Sequence, residues 1–126
     1  MGRRVLLVED EWVVAADHAD TLRSADYEVV GPCASVAAAL EAIEVGPVDV
    51  ALLDVELRNE RSFSVAARLR QIGIPFLFLS GHELRALPKD MCDSQLLTKP
   101  VEPSVLIAAV QDAIPAGRPP GSGKMD

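Results

Sequence analysis

The sequence of 126 residues predicts an α/β fold, a doubly wound parallel sheet of five strands with helices on both faces. Nearly continuous apolar runs of strand length occupy residues 5–8, 48–53 and 76–79, and each run ends on polar residues. Such runs are typical of strands that are buried on both faces. Between them, apolar residues recur at helical spacing. We expect the strand order 2-1-3-4-5, which is common in such sheets.

The chain can be read in order as strands alternating with helices. Strands are expected at residues 3–8, 27–31, 48–54, 75–79 and 95–98. Helices are expected at residues 11–24, 35–44, 62–72, 82–87 and 103–114. Ser35 and Ser62 are candidate N-caps, and Gly73 follows the third helix. The fourth helix should be short or irregular, because Pro88 interrupts it.

Composition excludes several classes of protein. The net charge of −7 argues against a nucleic-acid or anionic-membrane surface. No run of apolar residues is long enough to span a membrane, so we expect a cytoplasmic protein. Cys33 and Cys92 are far apart and should be reduced. Residues 1–115 form the predicted domain, and the Pro/Gly-rich residues 116–126 are expected to be a flexible tail or the start of a linker.

Polar side chains follow four of the predicted strands, at the carboxyl edge where open α/β sheets place their chemistry. They are Glu9 and Asp10, Asp54, Ser80 and Lys99. Carboxylates packed together repel unless a cation joins them, and oxygen ligands at a partly open edge suit Mg²⁺. A lysine and a hydroxyl opposite a carboxylate form a set able to support attack of that carboxylate on phosphorus. We therefore place the functional centre at Asp54.

These residues, in this order at these strand ends, resemble the receiver domain of bacterial two-component response regulators, which has the flavodoxin-like (CheY-like) fold. The resemblance spans residues 3–114. It implies that Asp54 accepts a phosphoryl group from the phosphohistidine of a histidine kinase or phosphotransfer protein. It further implies that Ser80 and Lys99 contact that group. By the same resemblance the chain is a phosphoacceptor that assists its own phosphorylation and dephosphorylation, rather than an enzyme.

The resemblance also implies a Mg²⁺ site and a cis peptide bond. Asp10 and Asp54 would bind Mg²⁺ directly, Glu9 through water, and Glu56 through its backbone carbonyl. The bond between Lys99 and Pro100 is cis in such proteins, an isomer that proline makes accessible.

The chain departs from the family pattern at the switch position. Receivers usually carry an aromatic residue three positions before the lysine, where this chain has Leu96, and no aromatic residue follows Phe78. The usual aromatic switch therefore cannot operate. The run Phe78-Leu79-Ser80-Gly81-His82 resembles the signature of the FATGUY branch of single-domain regulators, which also lacks that switch. His82 could influence water access to the phosphoryl group, although a loop or helix-cap histidine is the simpler interpretation.

Four further expectations concern other parts of the chain. Residues 56–61 should form a polar, mobile loop. Trp12 should pack at the start of the first helix, and His18 should face solvent. The last helix is apolar nearly all round, so some of that surface should stay exposed. With the fourth helix and fifth strand it could form a homodimer or partner face.

Two other functions are compatible with parts of this pattern. A haloacid-dehalogenase-like phosphatase also uses a nucleophilic Asp, Mg²⁺, Ser or Thr, and Lys. Such a phosphatase needs an Asp-x-Asp motif after its first strand, whereas Asp54-Val55-Glu56 follows the third. A pseudo-receiver that binds a partner without phosphorylation would not need the intact acidic pair. Either the protein acts alone, as a single-domain or phosphorelay regulator, or the sequence is a piece of a longer chain.

Overall fold

The computed structural model describes residues 2–81, 91 and 94–115. Its main sheet contains β1 (Arg4–Val8), β2 (Glu28–Cys33), β3 (Val50–Asp54), β6 (Phe76–Ser80) and β7 (Leu96–Thr98). All pairings in this sheet are parallel, and the strand order is β2-β1-β3-β6-β7. The predicted order 2-1-3-4-5 is confirmed, since β6 and β7 are the fourth and fifth strands of this sheet.

Four helices lie within the described residues: α1 (Trp12–Ser24), α2 (Val36–Val45), α3 (Phe63–Gln71) and α4 (Pro103–Ala113). The predicted N-cap of α2 is confirmed, because the Ser35 hydroxyl accepts a hydrogen bond from the Ala38 amide at 3.1 Å. Ser62 precedes α3 but its hydroxyl makes no cap bond. None of the helices in the described ranges is long and apolar enough to cross a membrane.

The central strands bury both of their faces. Along β1, Leu6 and Val8 join one apolar cluster, whereas Val5 and Leu7 join the other. Because side chains alternate across a strand, the two clusters lie on opposite faces of the sheet. The first cluster packs under α2 and α3, and the second packs under α1 and α4. The continuous apolar runs in the sequence therefore report burial on both sides.

A short antiparallel hairpin follows β3, where the sequence predicted a mobile loop. β4 (Glu56–Leu57) pairs with β5 (Glu60–Arg61) around a turn of two residues. Asn59 occupies the left-handed region of backbone space, with φ of 65°, which asparagine tolerates better than most residues. The segment is therefore a paired hairpin and not an unpaired loop, a difference that sequence reasoning could not detect because strands of two residues are too short to show apolar periodicity.

Two predictions about α1 were also wrong. Trp12 is 79% exposed, because the first turn of α1 lies at the carboxyl edge of the sheet rather than over the core. His18 is only 4% exposed, since it shares the inward face with Ala15, Ala19 and Leu22. Position on the helix, rather than side-chain polarity, decided the burial of His18.

Other predictions fall on residues that the structure does not describe. The fourth helix at residues 82–87, His82 and the segment 116–126 all lie outside the described residues. For α4, the expected exposed apolar surface is present, since Val105 is 46% exposed.

Candidate functional site

The register of the sheet brings the predicted site residues to one edge. Val8 pairs with Leu53, so the next residues along the two strands, Glu9 and Asp54, become neighbours. On the other side, Ser80 pairs with Thr98, the residue before Lys99. The Lys99 amide then donates to the Ser80 carbonyl at 2.7 Å. Parallel pairing thus delivers an acidic residue, the central aspartate and a lysine to the same end of adjacent strands.

Lys99 links two buried carboxylates. Its ammonium Nζ lies 2.8 Å from Asp54 Oδ1 and 3.0 Å from Glu9 Oε1. The side chains of Asp54 and Glu9 are 6% and 1% exposed, and that of Lys99 is 17% exposed. Charge-assisted hydrogen bonds in such a sheltered place are stronger than those at the surface. Lys99 therefore offsets part of the repulsion between the two carboxylates.

Burial and charge shift the pKa values at this site. Burial of the Asp54 carboxyl raises its pKa from 3.8 to about 7, and the nearby Glu9 carboxylate adds to the rise, whereas the hydrogen bond from Lys99 opposes it. For Lys99, burial alone would lower the pKa, but the hydrogen bonds to Asp54 and Glu9 outweigh burial and raise it. Lys99 therefore remains a cation, while Asp54 needs further positive charge nearby to ionise fully.

A cavity of about 320 Å³ opens beside Asp54. Its lining includes five carboxylate-bearing residues, two cationic residues and one glycine. They are Glu9, Asp10, Glu11, Asp54, Glu56, Arg58, Lys99 and Gly81.

The hairpin closes one side of this cavity. Asp10 Oδ2 accepts a hydrogen bond from the Arg58 backbone amide at 2.7 Å, which joins the loop after β1 to the turn of the hairpin. The Glu11 amide donates to Glu9 Oε2 at 3.2 Å, which helps to orient the Glu9 carboxylate. Sequence analysis did not single out Arg58 or Glu11. Asn59 is a turn signal in the sequence, but a turn alone does not place Arg58 at the cavity.

The acidic residues fit a divalent cation. Glu9, Asp10 and Asp54 can each offer one carboxylate oxygen, and these oxygens lie within 4.8 Å of one another. An all-oxygen donor set with open space beside it suits Mg²⁺, which retains several water ligands. Both Glu9 and Asp54 are buried, so their charges favour a cation at this point.

The remaining predicted residues lie near the same edge. Ser80 is 1% exposed and ends β6, but it does not line the cavity, whereas Gly81 does. The peptide bond between Lys99 and Pro100 is cis. Leu96 begins β7 and packs, partly buried, against the core cluster under α2 and α3. Its position leaves no aromatic ring beside Lys99 in β7.

The chain is similar to known proteins in both sequence and fold. The sequence matches the family model for the response regulator receiver domain over residues 5–111. It is 31% identical over 116 residues to the transcriptional regulatory protein PdtaR of Mycobacterium tuberculosis, and the match covers 89% of this chain. The chain spans only 57% of the length of that curated relative.

Solved structures agree with this assignment. The solution structure of SdrG from Sphingomonas melonis superposes with a TM-score of 0.76 at 35% identity, covering 87% of this chain and 94% of that one. The receiver domain of PhyR from Erythrobacter litoralis superposes with a TM-score of 0.79 at 26% identity, covering 89% of each chain. The family match extends over most of the chain and includes all five strands of the main sheet except Arg4, the first residue of β1. The chain therefore belongs to the response regulator receiver domain family.

Proposed function

We propose that this chain is a phosphoacceptor in two-component signal transduction, in which Asp54 receives a phosphoryl group from a phosphohistidine. The observation that carries the proposal is the contact of Lys99 Nζ with both Asp54 and Glu9, beside an open cavity. The donor would be a histidine kinase or a histidine phosphotransfer protein. A haloacid-dehalogenase-like phosphatase would use the same Asp and Lys, but here the aspartate ends the third strand of the main sheet rather than the first. A pseudo-receiver would need neither the contact nor the cavity.

Each residue at the site has a chemical role in this proposal. Asp54 is the nucleophile, and one of its carboxylate oxygens forms the bond to phosphorus. Glu9, Asp10 and Asp54 would hold Mg²⁺, with the Glu56 carbonyl as a further ligand, and the ion would neutralise charge on the transferring phosphoryl group. Lys99 would pair with that group after transfer. The Ser80 hydroxyl, which does not line the cavity before transfer, would turn toward the group and donate a hydrogen bond to it.

The ionisation of Asp54 determines when the reaction can proceed. The pKa of about 7 means that much of the protein carries a protonated, non-nucleophilic Asp54 at neutral pH when no divalent cation is bound. A cation held by the neighbouring carboxylates would lower that pKa and increase the nucleophilic fraction. Metal binding is therefore a condition for efficient transfer in this proposal.

The output would be a changed protein-binding surface. The phosphoryl group would bind Ser80 and Lys99 and so shift an existing conformational equilibrium. The affected face would comprise β7 and α4, together with the predicted fourth helix, which lies outside the described residues, and a homodimer or another protein would bind there. Val105, exposed on α4, belongs to this face. Because β7 carries Leu96 at the switch position and no aromatic residue, this conformational shift would not involve an aromatic side chain from β7.

Incubation with acetyl phosphate and Mg²⁺, followed by intact mass measurement, tests the proposal. The expected result is a gain of one phosphate in the parent protein and none in Asp54→Asn. An equal gain in both proteins would place the modification elsewhere. No gain in either, together with failure to accept phosphate from any histidine kinase, would favour a pseudo-receiver, and turnover of phosphomonoesters would favour a phosphatase.

A further inference from the structure

The charges that line the Asp54 cavity are unbalanced. Five carboxylate-bearing residues face two cationic residues, Lys99 and Arg58. Lys99 is already engaged by Asp54 and Glu9 at 2.8 and 3.0 Å. An anionic phosphodonor approaching this cavity meets a net negative surface, which opposes its entry. Arg58 is the cation of the lining that could offset this repulsion.

The backbone of Arg58 is held in place by contacts that do not involve its side chain. Its amide donates to Asp10 Oδ2 at 2.7 Å, and the turn that contains it is closed by pairing of Leu57 with Glu60. The conformation of Asn59, with φ of 65°, completes the turn. The geometry therefore fixes the Cα of Arg58 at the edge of the cavity, whatever the side chain does.

The guanidinium of Arg58 makes no ion pair or hydrogen bond with any residue in the described ranges. The neighbouring cation on the hairpin, Arg61, differs, because its guanidinium lies 3.9 Å from Glu56 and it does not line the cavity. Arginine side chains present several donors in a planar fork that matches phosphate oxygens. Arg58 is thus a cation at the cavity whose guanidinium has no partner among residues 2–81, 91 and 94–115.

We propose that Arg58 binds the phosphoryl oxygens of the incoming phosphodonor and guides them toward Asp54, an inference that rests on the phosphoacceptor function proposed above. In the transfer step, an Asp54 oxygen forms a bond to phosphorus. The bond from phosphorus to the donor's oxygen or nitrogen breaks, and its electron pair leaves with the donor. Arg58 forms no covalent bond and keeps its proton throughout.

Rates of phosphorylation by acetyl phosphate at saturating Mg²⁺ test this proposal. We expect Arg58→Ala to lower the second-order rate constant by about 3- to 10-fold, the loss of one partly solvated charge-assisted contact. Arg58→Lys should recover part of that loss, because it retains the charge but lacks the fork. Arg61→Ala, the matched control on the same hairpin, should change the rate constant by less than about twofold.

Mg²⁺ affinity, followed through the fluorescence of Trp12, separates this role from a structural one. Alanine retains the backbone amide that binds Asp10. The substitution also removes a positive charge that repels Mg²⁺, so Arg58→Ala should bind Mg²⁺ as tightly as the parent or more tightly. A rate constant in Arg58→Ala equal to that of the parent would overturn the proposal. Weaker Mg²⁺ binding that accounts for the lost rate would also overturn it.

The proposal can fail separately from the function on which it rests. If the parent gains a phosphate that Asp54→Asn does not gain, while Arg58→Ala reacts at the parental rate, the phosphoacceptor function stands and only the role of Arg58 is refuted. If the parent gains no phosphate at Asp54 from acetyl phosphate or from a kinase, both are refuted.

Discussion

Asp54 carries a carboxyl group that is buried next to a second carboxylate, and Lys99 is the positive charge in contact with both. This arrangement places an unfavourable charge at the position where the proposed chemistry needs a nucleophile. Strain of this kind is common at functional sites and is offset by the rest of the fold. It also makes the stability of the protein depend on pH.

Asp54→Asn should therefore stabilise the metal-free protein above pH 7. The pKa of Asp54 in the folded protein is about 7, above the ordinary value of 3.8. At pH values between 3.8 and 7, folding is therefore accompanied by uptake of a proton at Asp54. The stability that this proton contributes is lost as the pH rises through 7. We expect the free energy of unfolding of the asparagine variant to exceed that of the parent by about 1 to 2 kcal/mol at pH 8. The difference is not larger because water at the cavity mouth screens part of the unfavourable charge of Asp54. Urea unfolding in EDTA measures this difference. It should shrink toward zero near pH 4, and a difference that does not vary with pH would contradict the shift.

Lys99→Met should destabilise the metal-free protein and make it more dependent on Mg²⁺. The substitution leaves the buried carboxylates of Asp54 and Glu9 without their cation, which should cost about 2 kcal/mol at pH 8. Mg²⁺ bound by the same carboxylates would replace the lost charge, so saturating Mg²⁺ should raise the free energy of unfolding more in the variant than in the parent. Equal stabilisation of both proteins by Mg²⁺ would show that lysine and cation do not share these carboxylates. Arg23→Ala, which removes an exposed ion pair of 3.9 Å, serves as the control.

At single residues, sequence reasoning identified the acidic and basic groups at the strand ends but misjudged exposure on α1. The groups at the strand ends could be predicted because each ends an apolar run, a signal that does not depend on tertiary packing. The exposure of Trp12 and burial of His18 depend on where the axis of α1 crosses the sheet, which residue type does not encode. The proposed role of Arg58 could not be inferred before the hairpin was known.

Among the elements, the hairpin of β4 and β5 connects two parts of the molecule. At one end, the Arg58 amide binds Asp10 at the acidic cavity. At the other, Glu60 Oε2 accepts a hydrogen bond of 2.9 Å from the Val36 amide in the first turn of α2. The Glu60 carboxylate thus satisfies a donor that the helix itself cannot satisfy, at the end where the helix dipole favours negative charge.

Glu60→Ala should weaken the N-terminus of α2. Loss of the bond to the Val36 amide should cost about 0.5 to 1 kcal/mol, which is similar to the loss of an N-cap side chain. Urea unfolding measures the cost, and amide hydrogen exchange at Val36 should accelerate. Ser35→Ala should give a loss of about 1 kcal/mol at the same helix end. Glu41→Ala, on the exposed face of α2, serves as the control and should leave the free energy of unfolding unchanged. A loss in Glu41→Ala equal to that in Glu60→Ala would contradict a stabilising role for the bond between Glu60 and the Val36 amide.

The elements that could be predicted from the sequence are those with strong apolar periodicity. The bounds of α1, α2 and α4 agree with prediction to within one or two residues, because capping residues and prolines mark their ends. The second strand extends through Pro32 to Cys33, further than predicted, because β2 lies at the edge of the sheet, where proline is tolerated. The hairpin strands, each of two residues, depend on tertiary contacts to Asp10 and Val36 that no local pattern reveals.

At the scale of the whole molecule, the fold follows from strand order, which places the central strands β1 and β3 between two helical layers. The parallel order was predictable because alternating strands and helices leave few topologies. The predicted boundary of the domain at residue 115 stays a prediction, which truncation can test.

Truncation after Pro115 should leave the free energy of unfolding within about 0.5 kcal/mol of the value for the chain of 126 residues, because residues 116–126 have no apolar periodicity. Truncation after Ala113 should cost about 1 to 2 kcal/mol, since it removes Ile114, which packs against the apolar cluster under α1 and α4. Thermal and urea unfolding of the two truncated chains give both values. A large loss on truncation after Pro115 would move the boundary toward the C-terminus.

The turn between Leu57 and Glu60 cannot change in length without loss of contacts at both ends of the hairpin. Turns at the surface commonly accept additional residues with little effect. Here an inserted residue between Leu57 and Glu60 would displace the amide that meets Asp10 and the carboxylate that meets Val36, so both bonds would be lost together. The length of this turn is therefore constrained as tightly as that of a buried strand, although its side chains face the solvent.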